Sequence, residues 1–286
     1  MKNAHTKVDL HTHSTASDGQ YAPAELAALA KKAGVGVLAL TDHDTTAGLQ
    51  EAAKAAQEVG IRFINGIELD TKYPGIGGRF HILGYGINPL HPALQSRCTG
   101  YAEQRRARAE RILHYLAERG IPLSFARIEA LAKGGVIGRP HFARAMLEQG
   151  YITSIEEAFE KYLDTPEFQA IDRPKPHPKE AIQMITQAGG LAVLAHPYQI
   201  KLGALDLETL LRELKSYGLF GMECYYSTHT PQQTQTLLAL AQTLELSVSG
   251  GSDFHGEAVK PDVRLGSGIE NSLCVPDSIS ILSFLP

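Results

Sequence analysis

Two histidines lie two residues apart near the start of the chain, in the sequence VDLHTHSTASDG (residues 8–19). In an extended strand the side chains of residues i and i+2 point to the same side, so the imidazoles of His11 and His13 would face one point. Neutral imidazole is the commonest protein ligand for metal ions. The pair therefore predicts either a metal site or two polar side chains satisfied by backbone groups at the end of a strand.

More histidines lie at or near the ends of apolar runs that we predict to be β-strands. His43 follows the second run in TDHD, His196 follows the fifth in AHP, and His255 follows the last in SDFH. His81 lies within the fourth run. The acidic side chains that accompany these histidines are Asp18, Glu68 and Asp253. Because parallel barrels carry their chemistry at the C-terminal ends of the strands, we expect all of these groups to converge on one basin.

The candidate ligands offer imidazole nitrogen or carboxylate oxygen and no thiolate. They are His11, His13, Asp18, His43, Glu68, His81, His196, Asp253 and His255. Such a set suits divalent ions in a hydrolytic role, and we expect Mn²⁺, with Zn²⁺ or Fe²⁺ as alternatives. The set exceeds what one ion needs, so two or three ions are predicted. Ions about 3.5–4 Å apart can bind both the attacking and the leaving oxygen of a phosphoryl displacement, and Glu68 is the best candidate for a carboxylate that bridges them.

The predicted strands alternate with helix-patterned stretches. The strands are Lys7–His11, Val35–Thr41, Arg62–Leu69, Arg79–Tyr85, Leu191–Ala195, Leu219–Tyr225 and Leu246–Gly250. Between the first two lies APAELAALAKKAG, with Pro23 at the helix start and Gly34 just past its end. Strands that alternate with helices indicate βαβ units and a mostly parallel sheet.

The stretch 92–171 breaks this alternation, because it contains four helix-like segments and no convincing strand. The segments are YAEQRRARAERILHYLAERG, SFARIEALAKGG, RPHFARAMLEQG and SIEEAFEKYL. We therefore predict a helical subdomain over residues 92–171, inserted into a metal-binding barrel formed by residues 1–91 and 172–286. The sequence DRPKPHP would be the stiff, proline-rich return to the barrel.

Composition limits the choice of partners and compartment. The chain has 286 residues, a hydrophobic content of 43% and a net charge of −4, which carries no global signal for binding a polyanion such as duplex DNA. Its three cysteines are far apart and form neither a disulfide framework nor a CxxC metal motif, which suits a reducing compartment. No run is long and apolar enough to predict a signal peptide or a membrane span. We expect a soluble, cytoplasmic protein without a membrane partner.

Six motifs occur in order between residues 9 and 256: DLHTHSTASDG, LALTDHDT, GIEL, FHILGYG, LAHP and GSDFHG. They resemble the successive motifs of the PHP (polymerase and histidinol phosphatase) superfamily. The resemblance implies an α/β fold, a distorted (β/α)7 barrel with an inserted helical subdomain. In arrangement and length the chain most resembles the bacterial subgroup that dephosphorylates 3′,5′-bisphosphonucleotides and trims short RNA from the 5′ end.

The resemblance also distributes the ligands over three metal sites. The first would take His11, His13, Glu68 and Asp253, the second Glu68, His81 and His196, and the third Asp18, His43 and His255. Of these residues, Glu68, Asp253 and His196 are predicted to be catalytic. The predicted activity is that of a metal-dependent phosphoesterase acting on the 3′-phosphate of small nucleotides.

Three further residues are candidates for binding the substrate. Arg139 and His141 bracket Pro140 at a helix start in GRPH, and a helix N-terminus beside an arginine suits an anion. A surface ion pair for Arg139 and a polar first-turn position for His141 are the alternatives. Tyr225, with its neighbour Tyr226, follows the sixth strand and would either stack on a base or pack at the rim. The resemblance makes the helical insertion a cap over the barrel mouth.

The remaining conspicuous polar residues favour structural roles. The arginine run 105–111 on a predicted helix indicates mostly a solvated face. Asp42 and Asp44 flank His43 and would either orient its imidazole or cap the turn. The histidines with no ligand pattern, which we expect at the surface, are His5, His91, His114 and His177.

Other functions stay open at this point. The same ions would serve a 5′-3′ exonuclease acting on short RNA, or a histidinol phosphatase. A metal-dependent amidohydrolase also begins with an HxH pair, but its barrel normally has eight strands and its bridge is often a modified lysine. A non-catalytic, metal-stabilised module would be favoured by degenerated ligands, which this chain does not show.

Overall fold

The computed structural model describes residues 6–202 and 206–286. Its strands are β1 (Lys7–Asp9), β2 (Val35–Leu40), β3 (Arg62–Thr71), β4 (Gly77–Gly78), β5 (Phe80–Tyr85), β6 (Leu191–Leu194), β7 (Ile200–Lys201), β8 (Gly221–Tyr226), β9 (Ser247–Gly251), β10 (Val263–Arg264) and β11 (Gly268–Ile269). Its α-helices are α1 (Pro23–Lys32), α2 (Leu49–Val59), α3 (Pro92–Ala117), α4 (Phe125–Ala132), α5 (Arg139–Glu148), α6 (Ile155–Ala158), α7 (Pro166–Gln169), α8 (Pro178–Gln187), α9 (Leu207–Ser216) and α10 (Pro231–Thr243). A π-helical turn covers Phe159–Leu163, and 3₁₀ turns cover Pro197–Gln199 and Ser280–Phe284.

Seven strands form one sheet in the order β1-β2-β3-β5-β6-β8-β9. Neighbours pair in parallel except at β5, which runs antiparallel to both β3 and β6. The two edges approach each other just beyond the strands, where the N–H of Leu10 donates to the carbonyl of Gly250 (3.2 Å) and the N–H of Asp253 to the carbonyl of His11 (2.8 Å). The sheet is therefore a nearly closed barrel, which confirms the predicted distorted (β/α)7 architecture.

The two faces of the sheet bury separate sets of apolar side chains, as the two-residue period of a strand requires. In β2, Leu38 and Leu40 pack outward against α1 and α2. Val37 and Ala39, on the other face, pack against the C-terminal segment that contains Val275 and Ile281. This double burial explains why the strands read as continuous apolar runs.

The helices α3 to α7 follow β5 and precede the return to the sheet. The first half of α3 packs on the barrel core through Leu94 and Tyr101, whereas its second half joins a separate core with α4, α5 and α7 through Ile112 and Leu116. The helix begins at Pro92, nine residues before the predicted segment starts at Tyr101. Within the described residues, the structure contains no helix that is long and apolar enough to cross a membrane.

Candidate metal centre

All of the sequence-predicted ligands meet at one end of the barrel, in a cluster that is almost entirely buried. Their nitrogen and oxygen atoms form four overlapping groups, and the atoms of each group lie within 4.8 Å of one another. The groups are His13, Asp18, His43 and His255; His11, His13 and Asp253; His11, Glu68 and His196; and His43, Glu68 and His81. Because the groups share members, the cluster is one continuous centre.

Glu68 lies at the middle of this centre, and its two oxygens face different imidazoles. Oε1 lies 2.7 Å from Nδ1 of His81 and 3.1 Å from Nε2 of His196. The three nitrogens near Oε2 are His11 Nε2 (3.3 Å), His13 Nε2 (3.2 Å) and His43 Nδ1 (3.0 Å). A carboxylate placed in this way has one oxygen for each of two ions.

His81 reaches the cluster by a route that differs from the other histidines. It lies near the start of β5, and its ring joins residues at the C-terminal ends of parallel strands only because β5 is antiparallel. The sequence pattern cannot show the direction of a single strand. The prediction that His81 belongs to the basin agrees with the structure, but the strand-end argument does not explain its position.

The centre contains an unusual number of buried polar atoms without a hydrogen-bond partner. They are Nε2 of His11, both ring nitrogens of His13, Nδ1 of His43, Oε2 of Glu68 and Nδ1 of His196. Each such atom costs about 1–3 kcal/mol when it stays unsatisfied. These nitrogen and oxygen atoms converge on one point without hydrogen bonds of their own, as the ligands of divalent metal ions do. The residues present therefore fit a metal site.

Carboxylates behind the cluster orient two of the rings. Nδ1 of His11 donates to Oε1 of Glu223 (3.0 Å), which leaves Nε2 with a lone pair directed at the centre. The other oxygen of Glu223 accepts the backbone N–H of His196 (2.8 Å). Nε2 of His81 lies 3.5 Å from Asp70, while its Nδ1 faces Glu68. Sequence reasoning missed Glu223, although an acid within the apolar run GMECYY was a visible anomaly.

Asp253 is held by two groups that sequence reasoning did not assign to the site. The hydroxyl of Tyr226 donates to Oδ2 of Asp253 (2.6 Å), and Nζ of Lys260 donates to the same oxygen (2.5 Å). Oδ1 faces the imidazoles and lies 3.3 Å from both Nε2 of His13 and Nδ1 of His255. Asp253 and His196 both have a positive φ, 57° and 27°, a backbone strain that concentrates at functional sites.

Asp42 holds a loop that carries ligands. It accepts the N–H and Oγ of Ser14 (2.8 and 2.6 Å) and Oγ of Ser17 (2.5 Å). It therefore stabilises the loop between His13 and Asp18. Of the two roles considered for Asp42, holding this turn is the one its contacts support.

Charge balance within the centre sets the protonation of its rings. Burial opposes protonation of His13, but Asp253 and Glu68 outweigh it and raise the pKa of His13 to about 9. Burial lowers the pKa of His196 to about 3. Burial disfavours the Glu68 carboxylate, but the surrounding imidazoles, His43 first, lower its pKa well below the usual range. Without ions, the surrounding imidazoles thus stabilise the negative charge of Glu68.

The structure separates the roles of the two residues in GRPH. The N-terminus of α5 lies directly against the centre, because a Cβ at Gly138 would be 2.9 Å from Oδ2 of Asp18. Arg139 follows at this position and forms an ion pair with Asp164. His141 is buried, and its Nδ1 accepts the N–H of Gly138 (2.9 Å), so its side chain caps the helix. No contact within the described residues supports a substrate-binding role for His141.

Tyr225 does not reach the centre. It packs among apolar side chains near Gly250 and the C-terminal segment, whereas Tyr226 contacts the rings of His196 (5.4 Å) and His11 (6.3 Å). Pairing of β8 with β9 shifts register between Glu223 and Tyr225. This bulge interrupts the alternation of side chains along β8, so Tyr226 lies at the centre. The prediction that Tyr225 binds the substrate is therefore replaced by a position for Tyr226 at the site.

Asp44 is the carboxylate that fastens the helical segment to the barrel. It is fully buried and accepts from Nε and Nη2 of Arg105 (2.9 and 2.7 Å) and from Nη2 of Arg173 (2.6 Å). The prediction of a solvated arginine face is wrong for Arg105, since its side chain is only 11% exposed. Among the described residues, the contacts of Asp44 do not include one that orients His43.

The remaining histidines lie away from the ligand cluster where the structure describes them. His114 is exposed beside Glu118, and His177 caps α8 by accepting the N–H of Lys179 (3.2 Å). His91 precedes α3 and is half-buried. His5 lies outside the described residues.

Comparison with known proteins places this barrel in a family. Residues 9–167 match the PHP domain. A 5′-3′ exoribonuclease of Haemophilus influenzae is 39% identical over 249 residues, which cover 87% of this chain and 90% of the relative. A 3′,5′-nucleoside bisphosphate phosphatase of Chromobacterium violaceum is 35% identical over 251 residues, which cover 87% of each protein.

A solved structure from Bifidobacterium adolescentis, assigned to the metal-dependent phosphoesterases, shares the fold with a TM-score of 0.84. It is 30% identical, and the match covers 95% of this chain and 93% of that chain. The protein therefore belongs to the PHP family, whose members include metal-dependent phosphoesterases.

Proposed function

We propose that the protein is a metal-dependent phosphatase that removes the 3′-phosphate of small nucleotides such as 3′,5′-bisphosphonucleotides. The observation that supports it best is the position of the Glu68 carboxylate, whose two oxygens, Oε1 and Oε2, face separate sets of imidazoles. Two or three divalent ions, Mn²⁺ first among them, would lower the pKa of water and offset negative charge on the phosphoryl oxygens. We further propose residues 92–171 as a helical cap on a barrel formed by the rest of the chain.

The chain's own residues would prepare this chemistry by holding the ligands in place. Glu223 and Asp70 fix the orientation of His11 and His81. Tyr226 and Lys260 hold one oxygen of Asp253, and the other oxygen faces the imidazoles of the centre. Such pre-organisation means that few groups must rearrange as charge develops during the reaction.

Recognition of the phosphate would fall to the basic side chains around the ligand cluster. Arg139 begins α5, whose N-cap Gly138 lies against Asp18. A guanidinium at this position would orient a phosphate, which contributes positioning as well as charge. Arg139 thus remains our candidate for substrate binding.

The relative from Chromobacterium violaceum carries a name that matches this substrate class, which supports the proposal. The relative from Haemophilus influenzae instead favours a second candidate, the stepwise removal of nucleotides from the 5′ end of short RNA. Both reactions cleave a phosphoester bond of a nucleotide and would use the same ligands.

The decisive experiment is release of phosphate or nucleotide from a substrate panel supplied with Mn²⁺. We expect 3′,5′-bisphosphoadenosine to have a higher kcat/KM than adenosine 5′-monophosphate or histidinol phosphate. A panel in which histidinol phosphate exceeds every nucleotide would contradict the proposed substrate. Equal rates on long RNA and on the bisphosphonucleotide would favour the exonuclease.

A further inference from the structure

Arg79 is a half-buried arginine whose guanidinium has no hydrogen-bond or ion-pair partner within residues 6–202 and 206–286. Four other basic side chains near the ligand cluster are paired with carboxylates. Arg105 and Arg173 bind Asp44, Lys175 binds Asp70 at 3.1 Å, and Arg139 binds Asp164. Arg79 is thus available for an anion that the chain itself does not supply.

Arg79 lies between β4 and β5, immediately before the strand that carries His81. Arg79 lies two residues before His81, and alternate residues of an extended chain point to one face. Phe80, between them, faces the opposite way, because it packs in the outer core and stacks on Tyr73 (6.0 Å). An extended chain at Arg79 would direct its guanidinium to the same side as His81.

The backbone of Arg79 is fixed to the same support as Asp253. Its N–H donates to the carbonyl of Gln199 (3.1 Å), and a Cβ at Gly78 would be 2.2 Å from that carbonyl oxygen. Nε2 of Gln199 donates to the hydroxyl of Tyr226 (2.6 Å), which in turn binds Asp253. Only glycine fits this close approach, and the backbone of Arg79 is thereby held beside Gln199.

The charge of Arg79 acts at the start of α5. Burial lowers the pKa of Arg139, and the nearby charge of Arg79 lowers it further. The guanidinium therefore lies near the helix whose N-cap, Gly138, lies against Asp18.

We propose that Arg79 binds the second phosphate of the substrate, the one that is not hydrolysed, and so selects bisphosphonucleotides over nucleotides with one phosphate. The inference rests on the proposed function. Guanidinium groups bind phosphate oxygens in a planar, bidentate manner. A dianion beside Arg79 would supply the counter-charge that Asp164 already supplies to Arg139.

The test compares two substrates that share the reacting 3′-phosphate, 3′,5′-bisphosphoadenosine and adenosine 3′-monophosphate. Arg79→Met should lower kcat/KM for the bisphosphate about 10- to 100-fold, mainly through KM, because it removes hydrogen bonds to a charged group. The rate on the monophosphate should change less than about twofold. The matched control is Lys201→Met, which removes an exposed cation from β7, the strand that pairs with β4 just before Arg79.

Binding provides a readout that does not depend on turnover. Calorimetry of the metal-free protein with adenosine 5′-monophosphate should show affinity reduced about tenfold in Arg79→Met and unchanged in Lys201→Met. An unchanged substrate preference, or an equal loss on both substrates, would overturn the assignment of Arg79. Wild-type protein that releases no phosphate from either nucleotide would instead contradict the proposed function on which the assignment rests.

Discussion

At the scale of single residues, the proposed metal centre depends on the carboxylate of Glu68, which would let it hold more than one ion. Its oxygens lie 2.7 Å from His81 and 3.0 Å from His43, on two sides of the cluster. A glutamine at this position would keep the shape and lose the negative charge that two cations share. A neutral amide offers only one good oxygen ligand, so the second ion would lose its bridge.

Glu68→Gln should therefore lower kcat by orders of magnitude, because the ions that activate water and offset charge are no longer held together. Steady-state phosphate release with Mn²⁺ measures the effect. The control is Glu58→Gln on the exposed side of α2, which should leave kcat unchanged. Wild-type turnover in Glu68→Gln would rule out a shared carboxylate.

Tyr226 orients a predicted ligand, since its hydroxyl donates to Oδ2 of Asp253 (2.6 Å). Tyr226→Phe should weaken Mn²⁺ binding about 10- to 100-fold, the usual cost of losing a partner that orients a ligand. Competition with a chelator measures the affinity. Tyr225→Phe should bind Mn²⁺ as the wild type does, and equal losses in the two variants would contradict this assignment.

Residue types and spacing were enough to predict which side chains cluster at the centre, but not the residues that support them. An HxH pair at the end of a strand indicates ligands because the strand turns both imidazoles to one side, and histidines after neighbouring strands converge on the same point. Glu223 and Lys260 acquire their roles only through contacts with residues far along the chain, His11 and Asp253. A single sequence carries no sign of those contacts. It also does not show the bulge in β8, which brings Tyr226 to the site in place of Tyr225.

At the scale of elements, buried ion pairs fasten α3 and the return segment to the barrel. Arg105 comes from α3, Arg173 from the segment before α8, and both bind Asp44 just after β2. Asp44 also accepts the N–H of Asp70 on β3 (3.1 Å). One carboxylate thus joins four parts of the fold beside His43.

Asp44→Asn should destabilise the protein by about 3–5 kcal/mol, because it leaves the buried Arg105 and Arg173 with Asp70 as their remaining acidic partner. The free energy of unfolding in urea measures this loss. Glu129→Gln is the comparison, since its ion pair with Arg106 is exposed and should contribute about 1 kcal/mol or less. Similar stability of the two variants would show that Asp44 is not the fastening point.

The positions of the strands in the sequence were predictable, whereas the direction of β5 and the pairing of the two-residue strands were not. Apolar runs located all seven strands of the main sheet to within two residues at each end. The antiparallel direction of β5 left no mark in its own sequence, because burial on both faces gives the same apolar run either way. The two-residue pair β4 and β7 depends on tertiary contact alone.

At the scale of the whole molecule, a family fold carries a centre with ligands enough for several ions. The barrel belongs to the PHP family, and ligands drawn from its strands and their loops meet around one glutamate. The order of the six motifs predicted this arrangement from the sequence. The unpaired state of Arg79, on which the proposed substrate preference rests, could not be predicted in the same way, because ion pairing is a property of the folded chain.

Titration of metal-free protein with Mn²⁺, with phosphate release followed at each addition, tests the shared role of Glu68 most directly. We predict that activity with 3′,5′-bisphosphoadenosine reaches its maximum only after at least two equivalents have bound per chain, because Glu68 offers one oxygen to each of two ions. Chelation should abolish the activity, and Mn²⁺ should restore it. Full activity with one ion per chain, or activity that survives complete chelation, would contradict a metal centre bridged by Glu68.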